Sequence, residues 1–276
     1  MQHNIGVIIN YCTNDHKFIG PSIRQIAKFS ENIVVTYSDH FYTGQPENKQ
    51  LIQQTIKENL KAKFIEMKYS LVKPPIPEFI CQLLPRTGNI RPLYGPHYWA
   101  CMSRFVGYQS IPKGVDYLLF LDADEIVDGD RFINWLNAFD YESYQSLLFS
   151  CYSYFRDPKY QATTIEGCGL LTRNTKIDKK IFLSHNDRHN IYHKLPGLKK
   201  DAVMGLDNKP MFHHYAWART KEGMLRKVAT WGHSQERDWK SIVNNEFSHS
   251  FNGTDFLRHY HYKTVKPFVD FTKNKQ

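Results

Sequence analysis

The apolar run Tyr117-Leu118-Leu119-Phe120-Leu121 leads without a break into Asp122-Ala123-Asp124-Glu125. A short apolar run bounded by polar residues suits a strand covered on both faces, as in a parallel sheet with helices on each side. The carboxyl end of such a strand opens into a ligand crevice. In an extended chain residues i and i+2 point the same way, so Asp122 and Asp124 are expected to present their oxygens side by side while Ala123 faces elsewhere. Paired hard oxygen donors suit Mg²⁺ or Mn²⁺. The competing reading is helix capping, because Asp128-Gly129-Asp130 precedes the amphipathic set Phe132, Leu136 and Phe139. A cap uses one acid and this segment carries five, which favours the metal.

The surrounding periodicity supplies the rest of a sheet. Ile5 to Ile9 reads as a buried strand, followed by a polar loop over 10–17 and a helical pattern through Ile23, Ile26 and Phe29, with Pro21 placed at the helix start. Asn32 to Tyr37 reads as a second strand ending at Ser38-Asp39, residues 48–61 as a helix through Leu51, Ile52, Ile56 and Leu60, and residues 64–69 as a third strand. This alternation predicts βαβ units. The Pro- and Gly-rich stretch 72–96 is expected on the surface, ahead of a helix over 97–110. Beyond Phe139 come strands over 146–155 and 163–172, an irregular His-rich stretch over 184–193, and helices over 220–231 and 239–247. No repeat, low-complexity segment or linker interrupts the chain. The expectation is a mostly parallel α/β sheet flanked by helices over 1–219, with a C-terminal helical extension over 220–276 packed on the same domain.

The formal net charge of +9 raises the question of an anionic partner. The basic residues are spread in short clusters, such as Lys199-Lys200, without a nucleic-acid signature, so most are read as solvated surface. Aromatic residues make up 14% of the chain, and their recurrence between polar residues in the second half suits both core packing and a cleft for planar or sugar rings. Five cysteines without a C-x-x-C pair point away from a disulfide framework or zinc site and toward a reducing compartment, hence a cytoplasmic expectation. No apolar stretch approaches the roughly 20 residues of a membrane span. Peripheral membrane contact stays open.

A strand ending in D-x-D inside an N-terminal βαβ half, with a helix just before it, resembles the nucleotide-sugar glycosyltransferases of the GT-A fold, particularly family 2. Asn10-Tyr11-Cys12-Thr13-Asn14-Asp15 resembles the first-strand loop that holds the nucleotide there, which implies donor contacts for Tyr11 and Asn14. Val35-Thr36-Tyr37-Ser38-Asp39 resembles the second-strand end whose acid reads the base, which implies that role for Asp39. Ser103-Arg104-Phe105-Val106-Gly107 resembles the family's A-R-N-x-G helix, with Phe105 in place of Asn, and implies a diphosphate contact or an acid-pairing role for Arg104. Met211 to Trp217 resembles the late H-Y segment, which makes His214 the third metal-ligand candidate beside Asp122 and Asp124. A neutral imidazole among carboxylates favours Mn²⁺ somewhat over Mg²⁺. Order and spacing carry the resemblance, since D-x-D alone is too short to be specific.

The resemblance implies transfer of a sugar from a nucleotide-diphosphate donor, with UDP as the common choice of the fold, to a glycan or lipid-linked acceptor. An ion on Asp124, with Asp122 positioning ribose or a metal-bound water, would stabilise the departing diphosphate. An inverting enzyme also needs a carboxylate base at the acceptor hydroxyl. Some family 2 relatives carry V-H-E-x-L, whereas Tyr192-His193-Lys194-Leu195 has Lys194 where Glu would stand. Glu166 and Asp187 are the substitute candidates, and retention of configuration stays open. His185, His189 and His193 would share one face of a helix, but Asn186, Asp187 and Asn190 disfavour one there, so an acceptor contact or solvated loop is expected.

Two other classes compete. Nucleotidyl transfer would also use two acids and a divalent ion, but it calls for a glycine-rich phosphate loop, and Tyr11 to Phe18 contains no Gly. A basic nucleic-acid-binding domain would use the aromatics as stacking platforms. It leaves the D-A-D-E cluster unexplained, since acids beside a phosphate groove repel it, and no nucleic-acid partner is expected.

Overall fold

The structure, a computed structural model, describes residues 3–69, 95–183, 187–234 and 236–271. β1 (Ile5–Asn10) is buried along its whole length, as an apolar run in mid-sheet must be. It pairs in parallel with β2 (Asn32–Ser38) on one side and β4 (Tyr117–Asp122) on the other, and β2 pairs in parallel with β3 (Lys63–Met67). The order β3-β2-β1-β4 reverses direction of growth between β1 and β4. That is the place where an open α/β sheet forms its crevice.

Beyond β4 the sheet turns antiparallel. β4 pairs with β7 (Asp157–Arg173), which pairs with β6 (Ser146–Phe155). β6 then runs parallel to both β8 (Lys199–Val203) and β9 (Phe212–Trp217), and β9 pairs antiparallel with the short β5 (Glu125–Val127). The α/β class is the expected one, with a sheet whose N-terminal half is wholly parallel.

The helices cover both faces. α1 (His16–Ile26) and α4 (Gly129–Ala138) lie on one face, where Ile19, Ile23, Phe132 and Trp135 pack on Val7, Ile9, Leu119 and Leu121. The alternate residues Ile8, Leu118 and Phe120 face the other side, toward α3 (Gly95–Ser110), α5 (Lys179–Phe182) and α6 (Asp187–Lys194), through Phe105, Phe182, Ile191 and Tyr192. This is strand alternation with both faces apolar. Each fully buried side chain of this kind contributes about 1.5–3 kcal/mol. α2 (Lys49–Glu58) is capped by Asn48, whose side chain accepts from the Leu51 N–H at 3.0 Å.

Several elements differ from expectation. Pro21 lies inside α1 rather than at its start: a 3-10 turn over Thr13–Asp15 runs straight into the helix, and burial of Phe18, Ile19, Ile23 and Ile26 outweighs the hydrogen bond that Pro21 forgoes. The His-rich stretch is helical in α6, because Ile191, Tyr192 and Leu195 bury against the Phe120 face and packing overrides the weak propensity of Asn190. The C-terminal part has α7 (Lys221–Thr230) and α8 (Trp239–Glu246), but it ends in β10 (Tyr262–Thr264), paired antiparallel with β7, so it is not purely helical. The surface stretch 72–94 and His185 lie outside the described residues. Among the described residues no helix is long and apolar enough to cross a membrane.

Candidate active site at the carboxyl ends of β1, β2 and β4

A cavity of about 400 Å³ opens at these strand ends, floored by Asn10, Ser38 and Asp122. α3 walls it with His97, Ala100 and Arg104, and α7 with Lys227 and Thr230, followed by Trp231, Gly232 and His233. A buried polar chain sets the register of α3 against the sheet. Ser103 donates to Thr36 at 2.9 Å, Thr36 donates to Asn10 Oδ1 at 3.0 Å, and Asn10 Nδ2 donates to the Ala100 carbonyl at 3.2 Å. Gly107 lets the helix come this close, since a Cβ there would lie 2.6 Å from Ile8 Cγ2. Phe105, where the resembling family has Asn, packs on Phe182 instead.

β4 ends at Asp122, and the chain turns through Ala123 and Asp124 before β5 begins at Glu125. The two Asp side chains therefore share the cavity because of a turn, not because of the pleat of an extended strand. Asp122 accepts from Arg104 Nη2 at 2.8 Å and from Arg188 Nη2 at 3.1 Å. Asp124 accepts from Arg219 Nη2 at 3.1 Å and Lys227 Nζ at 3.3 Å, and its other oxygen lies 3.7 Å from His214 Nε2. Arg219, buried to 2% exposure, also donates to Asp15 and to the carbonyls of Asn14 and Ala216. Burial would push both Asp carboxyls up. Arg188 and Arg104 hold Asp122 far below the ordinary carboxylate range, and Lys227, His214 and Arg219 hold Asp124 below it.

The other acids of the segment divide structural tasks. Glu125, 1% exposed, accepts from Arg188 at 2.6 Å and from the Asp122 N–H at 2.9 Å. Asp128 caps α4, accepting from the Arg131 N–H at 3.2 Å, and Asp130 pairs with Lys28 at 2.6 Å. The capping reading thus holds for Asp128, while Asp122 and Asp124 line the cavity.

Tyr11 and Asn14 line the cavity. Tyr11 shares a 2.8 Å hydroxyl contact with Thr55, and Asn14 Nδ2 donates to Thr230 at 2.7 Å while its buried Oδ1 has no partner among the described residues. Asp39 does not line the cavity, although Ser38 and His40 on either side of it do. It accepts from the Tyr69 N–H at 2.9 Å and faces His40 at 3.2 Å; burial would raise its carboxyl, but those two contacts hold it down. Glu166, on β7, does not line that cavity: it accepts from Ser153, pairs with Arg258 and borders a separate small cavity beside His214, where one donor atom each of Cys151, Glu166 and His214 lie within 4.8 Å of one another. The Asp187 side chain lies outside the described residues.

Strand alternation sends His213 and His214 to opposite sides of β9. His213 stacks on Phe268 at 4.1 Å and bonds to the Tyr154 hydroxyl at 2.7 Å, with burial pushing its imidazole down to about 3. Burial would also lower His214, but a hydrogen bond to Cys151 and the charges of Asp124 and Glu125 hold it up at about 9. It therefore meets Asp124 as an imidazolium at neutral pH. Binding a metal there releases that proton.

Sequence reasoning did not single out Arg188, Arg219, Lys227, Asp15 or Glu47. Glu47 lines the cavity, accepts from the Thr13 N–H at 3.1 Å and from its hydroxyl, and has its carboxyl pushed up by burial. Asp15 closes the Asn10–Asp15 segment quoted for the first-strand loop; the others lie far from the D-x-D in sequence, and among them only Arg219-Thr220, a basic residue before a helix cap, offered a signal.

No family model matches the sequence, and no curated protein matches it. Solved structures resemble its architecture. TarS 1-349 of S. aureus in complex with UDP is 12% identical, with 90% of this chain and 72% of that chain covered and a TM-score of 0.44. The mannosyltransferase PcManGT of Pyrobaculum calidifontis, in complex with GDP-Man and Mn²⁺, is 9% identical over 83% of this chain and 62% of that one, with a TM-score of 0.43. The 4-diphosphocytidyl-2C-methyl-D-erythritol synthase of Anaerococcus prevotii is 8% identical over 75% of this chain and 89% of that one, with a TM-score of 0.39. The likeness is one of architecture, and the functional reading rests on the cavity.

Proposed function

We propose that the protein is a glycosyltransferase that moves a sugar from a nucleotide-diphosphate donor, UDP-linked, to a hydroxyl of a glycan or lipid-linked acceptor. The observation that carries this reading is the placement of Asp122 and Asp124 with Arg188 and Lys227 around one cavity, at the crevice of the parallel half-sheet. Acids and cations there suit a ligand that brings both phosphate and a divalent ion.

Asp124 and Asp122 would hold Mn²⁺ or Mg²⁺, with His214 as third donor once deprotonated. The oxygens of both carboxylates already face cations, so the fit depends on which cations can turn away. Arg104 and Arg219 are fixed, at 5% and 2% side-chain exposure, whereas Lys227 and Arg188 reach 15% and 18%. Lys227 can turn to a diphosphate, and Arg188 can release Asp122 while keeping Glu125, which leaves the two Asp carboxylates to the ion. A bound ion supplies Lewis-acid stabilisation of the leaving diphosphate. Lys227 and Arg188 add positive charge to the same group, in a partly dehydrated site where charge counts for more than in water. Arg104 keeps Asp122 ionised and oriented. Tyr11 and Asn14 border the donor, and Asp39 acts on the base through the neighbouring Ser38 and His40. Residues 1–219 form the donor domain, and the segment 220–276 completes its cavity through Lys227 and Thr230.

Calorimetric titration with UDP, GDP and CDP in the presence of Mn²⁺ tests the reading, with EDTA and Asp124→Ala as controls. Preferential binding of UDP that both controls abolish is expected. No binding of any diphosphate at millimolar concentration would overturn it.

A further inference from the structure

A second group of metal-ligand type borders the same cavity, on the side formed by the start of α3 and the segment after α7. The rings of His97 and His233 meet edge to face, with centroids 4.8 Å apart at 74°. Glu236 Oε1 lies 2.5 Å from His233 Nδ1. One donor atom from each of the three residues lies within 4.8 Å of the others.

The surroundings hold this group in place. A Cβ on Gly232 would lie 3.1 Å from His97 Cε1, so the backbone before His233 rests directly on the His97 ring. Trp231 packs edge-on against His233 at 4.9 Å, and Trp239 Nε1 donates to the His233 carbonyl at 2.7 Å. Buried Trp239 thus anchors the segment that presents His233. Packing of this kind limits the rotamers of a ligand before the ion arrives.

We propose that His97, His233 and Glu236 form a binding site for a borderline-soft divalent ion of the Zn²⁺ class, separate from Asp122 and Asp124. Two imidazole nitrogens and one carboxylate are the donor set of zinc sites that keep an open position. The same set is a poor match for Mg²⁺, which takes all-oxygen surroundings. Ligand atoms around a tetrahedral Zn²⁺ lie about 3.3 Å apart, given metal–ligand distances of about 2.0–2.1 Å. Reaching that spacing would open the 2.5 Å contact between His233 and Glu236 and close any separation that approaches 4.8 Å, adjustments of about an ångström to which the half-exposed Glu236 side chain can contribute. The ion would take the place of the hydrogen bond between His233 and Glu236. It would also tie α3 to the segment after α7 at the edge of the cavity, with its open position left for water or an oxygen anion.

The test uses full-length protein freed of any polyhistidine tag and stripped with a chelator. Co²⁺ is titrated by its visible ligand-field absorption and Zn²⁺ by calorimetry, in the wild type and in Asp124→Asn, His97→Gln, His233→Gln and Glu236→Gln, with circular dichroism as the check on folding. One tight equivalent is expected in the wild type and in Asp124→Asn, weakened roughly tenfold or more in each of the other three. Absence of tight binding in the wild type overturns the proposal, as does unchanged affinity in the His97 and His233 variants or loss in Asp124→Asn alone. If either His variant fails to fold, the exposed Glu236→Gln decides. No donor enters the assay, so failure of the glycosyltransferase reading and failure of this one are distinguishable.

Discussion

Arg188 donates to the buried carboxylate of Glu125 at 2.6 Å. Its other terminal nitrogen reaches Asp122 at 3.1 Å, so one side chain on α6 ties the D-x-D turn to the helix. Removing one partner of a buried pair leaves a charge without compensation, at a cost of about 3–5 kcal/mol. Arg188→Ala is therefore expected to lose stability of that order in urea denaturation, Glu125→Gln less, and the double variant less than the sum of the two. Strict additivity would show that the pair is not coupled.

Gly107 sets how closely α3 approaches β1. In Gly107→Ala the new methyl would meet Ile8 Cγ2 at 2.6 Å and Thr36 Cγ2 at 3.1 Å. Overpacking of this kind costs about 1–3 kcal/mol. Arg104 sits one turn earlier on the same helix, so the shift should also weaken diphosphate binding. A variant with wild-type melting temperature would show that the helix has room to spare.

The parallel half of the sheet was readable because its signals are local. The apolar runs at Ile5–Ile9 and Tyr117–Leu121 and the helical spacing between them need no partner to be recognised. β5 and β9 were not readable as strands: the first is three residues long and the second is hidden in the His-rich sequence Phe212–Trp217. The site divides the same way. Asp122 and Asp124 stand at a strand end and announce themselves, whereas Arg188, Arg219 and Lys227 reach them from distant helices and loops, which only tertiary packing decides. Pro21 and α6 show packing overriding local preference in the other direction, with helix persisting where single residues argue against it.

The Cys151 and His214 pair makes an unusual pH prediction. The Cys168 thiol holds Cys151 down at about 6 against burial, with help from His214, while His214 itself is held up at about 9. The contribution of His214 is complete below its unfolded value of about 6.5 and is lost as pH rises through about 9. That of Cys151 is complete above its unfolded value of about 8.5 and is lost as pH falls through about 6. Between those limits the pair carries one proton both folded and unfolded, on His214 in the first case and on Cys151 in the second, so the two slopes cancel. If the two slopes cancel, removing both groups together in Cys151→Ala/His214→Gln leaves the slope of thermal stability between about pH 6.5 and 8.5 as it is in the wild type. A slope that differs between the two proteins would show that the two shifts do not offset each other.

Lys227 discriminates between a structural and a ligand-binding role for the cations. Its ammonium lies 3.3 Å from Asp124, on the last turn of α7, with 15% of its side chain exposed to the cavity side. If its role were only to neutralise Asp124, Lys227→Met would lower stability and leave nucleotide affinity in place. On the proposed function Lys227 turns to the diphosphate, and a hydrogen bond to a charged group is worth about 1.5–3 kcal/mol. Affinity for UDP should then fall roughly 10- to 100-fold, while affinity for uridine, which lacks the diphosphate, should not change. The two affinities measured side by side separate the cases, because misfolding would weaken both and a missing phosphate contact weakens one.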